Sequence, residues 1–357
     1  MTNTADFPTP QIAPIAIDDA FAHAVDAELD AKTKPLGALG ELERLAARIA
    51  RIQQRLTPSI VHAEALVFAA DHGVAAEGVS AFPQAVTAQM VANFLAGGAA
   101  ICVLARTHGA RLRVVDAGVA ADLAPHPALL ARSLGHGTRN FVHASAMTET
   151  QCVEALDHGV ALGASLPEYG VLVLGEMGIA NTTSAAALMR VLTGAPVADC
   201  VGRGTGIDDA GIVRKCAAID AAVARHGVDG TPLERLARYG GFEIAMMAGA
   251  MLGAASKRQV ILIDGFIATA AVAVAAQMAP AVLDYCVFGH VSAEAPHRQW
   301  LKRLNARPLL DLGMRLGEGS GAMLALPLLR AACAILCEMA TFQSAGVSSR
   351  EDAEATM

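Results

Sequence analysis

The segment Gly170–Ser184 reads GVLVLGEMGIANTTS, and it decides the fold class of this chain. Its apolar run, Val171–Leu174, has no polar position, which is typical of a strand buried on both faces of a parallel sheet. A glycine-rich turn follows, and Asn181 then begins a stretch whose Asn, Thr and Ser residues are favoured at helix starts. The segment therefore predicts one strand–turn–helix unit of an α/β protein.

The same pattern recurs on both sides of this segment. We predict strands at Ala65–Ala70, Leu112–Ala117, Gly170–Gly175, Gln259–Asp264 and Val282–Phe288. We predict the main intervening helices at Gln84–Arg106, Glu149–Leu162, Asn181–Leu192, Asp208–Arg225, Phe242–Ala255 and Ile267–Met278. Alternation of this kind predicts a parallel sheet with helices on both faces.

The two ends of the chain have helical periodicity but no strand pattern. We predict helices at Asp18–Ala31 and Leu39–Arg55 near the start, and one long helix at Gly321–Phe342 near the end. The Pro- and Thr-rich residues before them are expected to be a loose lead-in, and Ser344–Met357 a polar tail. We expect residues 61–305 to form a large α/β domain, and residues 1–60 with 306–357 to form a small helical domain.

Composition excludes several classes of protein. The chain has 357 residues and a net charge of −7, and 54% of its residues are hydrophobic while 4% are aromatic. This acidic balance argues against a nucleic-acid partner. The apolar windows Ile261–Leu283 and Ala322–Phe342 contain charges and prolines, so we interpret them as core elements and not as membrane spans. No signal-peptide pattern begins the sequence, and we expect a cytoplasmic protein.

Cysteine and histidine spacing predicts no metal site. The seven cysteines are odd in number and form no C-x-x-C pair, which favours reduced core residues. The eleven histidines include no H-E-x-x-H motif. We interpret His72, His290 and His297 as polar loop residues or as residues that orient their neighbours.

Small or acidic polar residues follow every predicted strand. They are Asp71-His72-Gly73, Asp116-Ala117-Gly118, Glu176 and the turn after it, Asp264-Gly265, and Gly289–Ser292. Ligands of doubly wound sheets bind at the carboxyl ends of the strands. We therefore expect one shared ligand site there.

Two glycine-rich loops are candidate phosphate sites. Gly175–Thr183 opens a helix whose free N–H groups favour an anion, although the same residues also serve as an ordinary helix cap. Gly202–Gly206 precedes a second helix, and Lys215 follows in that helix. On local grounds Lys215 is equally well a solvated lysine on a helix.

Glu318 is a candidate general base. It stands between Gly317 and Gly319 at the start of a strongly apolar helix. Desolvation in such a place raises the pKa of a carboxyl group towards the range useful to a base. The alternative is an acidic residue that interacts with the helix dipole.

Six segments, in order along the chain, resemble the nicotinate-nucleotide:dimethylbenzimidazole phosphoribosyltransferase family, which makes the lower ligand of cobalamin. They are TKPLGALGELE (33–43), DHGVAAEGVSAFPQAVTAQM (71–90), GEMGIANTTSAAA (175–187), VGRGTG (201–206), GHVSAEAPH (289–297) and LLDLGMRLGEGSGA (309–322). The resemblance implies a Rossmann-like domain, a homodimer, and no metal or cofactor. It implies transfer of phosphoribose from nicotinate mononucleotide to 5,6-dimethylbenzimidazole, which yields α-ribazole 5′-phosphate and nicotinate.

The resemblance also implies roles for single residues. Glu318 would take the benzimidazole proton, and Glu176 would be a second carboxylate of the site. The resemblance places Ser80 and Gln89 at the base pocket, and Gly178, Thr182, Gly204 and Lys215 at the nucleotide. Asp264 and Ser292 are expected to bind the substrates because they follow predicted strands. The family usually has glycine at position 180, where this chain has Ala180, so a positive φ there would strain the alanine by roughly 1 kcal/mol.

The chemistry implied is a single inverting displacement. The sequence offers a base and phosphate loops, but neither Cys216 nor Ser320, the nearest nucleophiles, has a convincing partner base. Two alternatives stay open. The acceptor could be another azole or a purine, or the chain could bind the nucleotide or the azole without turnover.

Overall fold

The structure is a computed structural model that describes residues 7–348. Its strands are β1 (Ala63–Ala70), β2 (Arg111–Gly118), β3 (Leu129–Ala131), β4 (Val171–Met177), β5 (Val260–Ile263) and β6 (Cys286–Phe288). They form one parallel sheet in the order β3-β2-β1-β4-β5-β6, which is the order of a Rossmann sheet. Every residue of β1 is buried, so both faces of the sheet are covered. The predicted fold class is confirmed.

Helices connect and cover the strands. They are α1 (Ala20–Asp30), α2 (Glu41–Gln53), α3 (Val86–Leu95), α4 (Ala100–Thr107), α5 (Glu149–Ala164), α6 (Asn181–Thr193), α7 (Val197–Cys200), α8 (Asp209–His226), α9 (Pro232–Tyr239), α10 (Phe242–Ser256), α11 (Phe266–Met278), α12 (His297–Arg303), α13 (Ser320–Glu338) and α14 (Phe342–Ala345). Short 3₁₀ helices lie at Gly73–Glu77 and Pro280–Tyr285. Helix α10 packs against α5 and four strands, and α13 packs against β4, β5, α2 and α4.

Several predicted boundaries were wrong. Gln84–Arg106 is two helices, because Gly97 adopts a left-handed φ of 78° and ends the first. Only the last three residues of Val282–Phe288 form a strand, since Pro280–Tyr285 is a 3₁₀ helix. The long C-terminal helix ends at Glu338, where Met339 becomes extended. The sequence missed β3, α7, α9, α12 and α14, which are all short.

The start of the described chain is not a loose lead-in. The Ile15 N–H donates to Oδ2 of Asp284 over 2.9 Å, and the Tyr285 hydroxyl donates to the Ala13 carbonyl over 2.7 Å. The two chain ends also meet, because the Thr33 N–H donates to the Ala340 carbonyl over 3.0 Å. Residues 1–6, and residues 349–357 of the predicted tail, lie outside the described residues.

Two helical stretches of the described chain have the length and hydropathy of a membrane span. They are Val86–Thr107 with a mean hydropathy of 1.7 and Ser320–Glu338 with 1.8. The first is interrupted between α3 and α4, and the second packs against β4 and β5. A core helix passes the same test, so the two stretches are only weak evidence for a membrane span. Ile261–Leu283 is not a single helix, because the Asp264-Gly265 turn separates β5 from α11.

Candidate active site

A cavity of about 320 Å³ lies beside the carboxyl ends of β4, β5 and β6. This is close to the switch point of the sheet, where β1 is flanked by β2 on one side and β4 on the other. The structure brings seven of the ten predicted site residues into its lining: Glu176, Gly178, Thr182, Gly204, Asp264, Ser292 and Glu318. The polar residues at the ends of β4, β5 and β6 therefore meet at this cavity, whereas Asp71 and Asp116, at the ends of β1 and β2, do not line it.

A second, smaller cavity adjoins the first and holds Lys215 and Ser80. The Lys215 side chain is buried, and its ammonium donates to Oγ1 of Thr182 over 2.9 Å and to the Gly202 carbonyl over 3.3 Å. A Cβ atom on Gly204 would lie 3.2 Å from Nζ of Lys215, so the two predicted loops and the lysine converge. Burial lowers the pKa of Lys215 to about 8. A buried cation beside the N-terminus of α6 suits an anion such as a phosphate.

Gln89 does not line either cavity. It is exposed on α3, whereas Val86 and Met90 of the same helix line the main cavity together with Phe82. Residues 86 and 90 are one helical turn apart and share a face, whereas the side chain of residue 89 is rotated about 100° from that of residue 90. Helix α3 therefore contributes Val86 and Met90 to the cavity as an apolar wall, and it does not contribute Gln89.

Glu318 is held in a strained backbone conformation. Its φ is 64°, and the flanking Gly317 and Gly319 have φ values of 82° and 87°. A left-handed non-glycine residue costs roughly 1–2 kcal/mol, and such strain is characteristic of functional sites. The side chain is 6% exposed, and burial raises the pKa of Glu318. Its Oε2 atom has no hydrogen-bond partner among the described residues, so it is free to accept a proton.

Glu176 faces the same cavity from the end of β4. Its carboxyl group accepts a hydrogen bond from the Asn181 amide, and burial raises the pKa of Glu176 to about 8. The nearby carboxyl group of Asp264 adds to this shift. A Cβ atom on Gly317 would overlap Oε1 of Glu176, so the Glu318 loop packs directly on this carboxyl group.

Asp264 fixes the start of α13. Its Oδ1 accepts the Ala322 N–H over 2.9 Å and lies 3.4 Å from Nε2 of His290. Ser292 is held in turn by His297, because the Ser292 N–H donates to Nδ1 of His297 over 2.8 Å. Burial lowers the pKa of His297 to about 4, so this imidazole is neutral and can accept that bond.

Ala180 requires the left-handed conformation that favours glycine. Its φ is 75° and its ψ is 5°, immediately before α6. Because this φ is positive, the alanine is strained by roughly 1 kcal/mol, as the sequence comparison predicted for a positive φ.

The structure adds cavity residues that sequence reasoning did not single out. Glu294 and Arg315 line the main cavity, and Arg315 donates to the Gly204 carbonyl over 2.9 Å, which joins the Glu318 loop to the second phosphate loop. Glu294 lies in the segment 289–297 and Arg315 in the segment 309–322, both of which resemble the family. That resemblance is the one sequence feature that could have indicated them. Among residues 7–348, no group of three His, Cys, Asp or Glu side chains is arranged to hold a metal ion.

Comparison with known proteins agrees with this geometry. A family model described as DBI_PRT, phosphoribosyltransferase, matches residues 15–347. The chain belongs to this phosphoribosyltransferase family. It is 56% identical to the nicotinate-nucleotide–dimethylbenzimidazole phosphoribosyltransferase of Ralstonia nicotianae, over 94% of this chain and 96% of the relative. A relative of the same name from Roseiflexus sp. is 52% identical over 94% and 96%.

A solved structure extends the agreement to three dimensions. CobT from Thermus thermophilus matches with a TM-score of 0.89 at 46% identity, and the match covers 92% of this chain and 98% of that one. The protein is thus a phosphoribosyltransferase of cobalamin lower-ligand synthesis, and the family predicted from the sequence segments is confirmed.

Proposed function

We propose that this enzyme transfers the 5-phosphoribosyl group of nicotinate mononucleotide to 5,6-dimethylbenzimidazole. The observation that carries the proposal is the pairing of two features in adjoining cavities. Glu318 presents a buried carboxylate oxygen that has no hydrogen-bond partner within residues 7–348, and Lys215 presents a buried ammonium beside Gly204 and Thr182. The first feature suits the removal of a proton from a bound azole, and the second suits a phosphate.

Each part of the donor and acceptor has a matching part of the site. The phosphate binds at Gly178, Thr182, Gly204 and Lys215, with Ser80 beside them, and the ribose lies towards Glu176, Asp264 and Ser292. The apolar benzimidazole fits the wall formed by Phe82, Val86 and Met90. An apolar slot with few polar groups is typical of sites for flat heteroaromatic ligands. The role of Gln89 in the base pocket stays a prediction.

The mechanism we propose is one inverting displacement at C1′. The bond from C1′ to the nicotinate ring nitrogen breaks, and its electron pair returns to the ring, which leaves as a neutral pyridine nitrogen. An unprotonated benzimidazole nitrogen forms the new bond from the opposite face, so a β-linked donor yields an α-linked product. Glu318 then takes the proton from the other ring nitrogen. Glu176 and Asp264 stabilise the positive charge that develops on the ribose.

Product analysis tests this function. The enzyme is incubated with nicotinate mononucleotide and a panel of dimethylbenzimidazole, other azoles, purines and phenols, and the products are separated and assigned by NMR. We expect nicotinate release that requires the acceptor, an α-linked product, and intersecting initial-rate plots. A β-linked product, or a burst of nicotinate without acceptor, contradicts the mechanism. Binding without any turnover contradicts the function.

We further propose a cytoplasmic homodimer in which residues 61–305 form the α/β domain and the chain ends form the helical domain. Exposed apolar side chains support a second copy near the cavity: Phe82 is 49% exposed, Leu312 57% and Leu316 55%, and two of the three line the cavity. A hydrogen bond between residues 33 and 340 supports the pairing of the ends. Sedimentation equilibrium tests the dimer.

A further inference from the structure

Thr87 joins the two halves of the proposed site through a buried hydrogen-bond relay. This residue is 0% exposed in the first turn of α3. Its hydroxyl donates to Oδ1 of Asp71 over 2.7 Å, and the Ile179 N–H donates to the same hydroxyl oxygen over 3.1 Å. The Ala120 N–H donates to Oδ2 of Asp71 over 2.8 Å, which anchors the relay to the end of β2. The relay therefore connects four segments of the chain: α3, the turn at Ile179, and the ends of β1 and β2.

The two elements that Thr87 connects serve different substrates in the proposed function. Val86 and Met90, on either side of Thr87 along α3, line the apolar wall for the acceptor. Ile179 lies between Gly178 and Ala180 in the turn proposed to bind the donor phosphate. The hydroxyl thus forms a direct polar link between the acceptor helix and the donor turn.

The Thr87 hydroxyl holds the donor turn next to a residue of that turn that is under strain. Ala180 holds a left-handed conformation that an alanine adopts only under strain. Without the Thr87 hydroxyl, the Ile179 N–H would be buried with no acceptor, next to that strained residue. The turn would relieve both penalties by moving away from α3.

We infer that Thr87 is a positioning residue that sets the distance between the acceptor helix and the donor turn. The inference rests on the proposed function for the identity of the two ligands. Displacement of either reactant by about 1 Å can cost on the order of 10²-fold in rate. Thr87 itself touches neither reactant, because it does not line the cavity.

Thr87→Val and Thr87→Ser test the inference. Valine keeps the shape but removes the hydroxyl, and serine keeps the hydroxyl. We expect the valine variant to lose about 10- to 100-fold in kcat/KM, mainly in kcat, and the serine variant to stay within about 3-fold of the wild type. If the valine variant does not fold, Thr87→Cys, with its weaker donor and acceptor, should lose more kcat/KM than Thr87→Ser.

Thr193→Val is the matched control. Thr193 also donates one hydrogen bond, to the Met189 carbonyl over 2.6 Å, and accepts one, from the Ala195 N–H over 3.2 Å. It lies at the far end of α6, about 18 Å from the donor turn at the rise of an α-helix. We expect this variant to keep its kcat/KM. An equal loss in both variants at equal thermal stability would overturn the inference.

Hydrogen exchange tests the Thr87 relay without any substrate, so its result does not depend on whether the proposed function is correct. We expect faster exchange in the peptide covering residues 175–184 in Thr87→Val, and unchanged exchange there in Thr87→Ser and Thr193→Val. Unchanged exchange in Thr87→Val overturns the relay whatever the activity. A wild-type enzyme that transfers nothing from nicotinate mononucleotide refutes the proposed function, while the exchange result still decides the relay.

Discussion

Gly175 lies directly against the main chain of Glu318. A Cβ atom on Gly175 would overlap the carbonyl oxygen of Glu318 and would lie 3.0 Å from the nitrogen of Gly319. The absence of a side chain in the middle of β4 therefore lets the Glu318 loop cross the end of the sheet at van der Waals distance. The position of the proposed base depends on a glycine that is 143 residues earlier in the sequence (318 minus 175).

Gly175→Ala should displace the Glu318 loop and impair turnover. The neighbouring atoms are backbone, which cannot swing aside as a side chain would, so the loop must shift. We expect kcat to fall by about 10²-fold, the typical penalty for a displaced catalytic group. Gly98→Ala is the control, because its Cβ would meet chiefly the flexible side chain of Asn93. Equal activity in both variants would show that the close approach is unimportant.

Glu318→Gln should lower kcat by about 10²–10⁴-fold while the fold stays intact. The amide keeps the shape of the side chain but cannot take the azole proton. In the wild type, burial raises the pKa of Glu318, so kcat at saturating donor should fall as the pH drops through a value above the ordinary range of glutamate. Saturating donor is used because Glu176, with a pKa of about 8 in the free enzyme, would add an acid limb of its own to kcat/KM. The Gln variant should lack this acid limb. A pH–rate profile with the same limb in both proteins excludes Glu318 as the base.

The binding of the donor should release protons below about pH 8 and take up protons above it. The pKa of Glu176 and that of Lys215 are both about 8. The cationic ring of the donor lowers the pKa of Glu176, and its phosphate raises the pKa of Lys215. At about pH 7 both groups are protonated, so binding releases a proton from Glu176; at about pH 9 both are deprotonated, so binding takes one up at Lys215.

Titration calorimetry in buffers of different ionisation enthalpy measures this balance. We expect Glu176→Gln to remove the release at about pH 7 and Lys215→Met to remove the uptake at about pH 9. Proton release at both pH values would mean that Lys215 does not bind the phosphate.

Lys215→Ala should weaken the donor much more than the acceptor. A charge-assisted hydrogen bond contributes roughly 1.5–3 kcal/mol, and Lys215 is the lysine that lines the small cavity. Separate titrations with nicotinate mononucleotide and with dimethylbenzimidazole compare the two affinities. Lys302→Ala, at an exposed position of α12, is the control and should change neither. Equal weakening of both ligands in Lys215→Ala contradicts the assignment.

Ala180→Gly should stabilise the protein by about 0.5–1 kcal/mol. Glycine removes the cost of the left-handed conformation, and part of that gain is offset by the greater freedom of glycine in the unfolded chain. Urea unfolding measures the change. Gly194→Ala, at a φ of 70° after α6, should have the opposite sign. A destabilised Ala180→Gly variant would mean that the alanine methyl group contributes packing that outweighs the strain.

Much of the architecture was predictable from local patterns. Val171–Leu174 is a buried strand, because an uninterrupted apolar run favours a strand that is covered on both faces. Asn181 begins a helix as predicted, although no side chain caps that helix and the Asn181 amide donates to Glu176 instead. The prediction of one helix over Gln84–Arg106 was wrong. The hydrophobic periodicity continues across Gly97, and periodicity alone does not reveal that a single residue adopts a left-handed conformation. The elements β3, α7, α9, α12 and α14 were missed, because short segments owe their structure to their neighbours.

The sequence by itself determined the parallel sheet, the polar strand ends and the family, since each depends on residue types in a local order. Only the tertiary structure decided how the site is assembled. It paired Lys215 with Thr182, placed the Glu318 loop on Gly175, and turned Gln89 to solvent while Met90 faces the cavity. These contacts join segments far apart in the chain, and burial sets the pKa values of Glu176 and Lys215. Neither long-range packing nor desolvation is contained in any one stretch of residues.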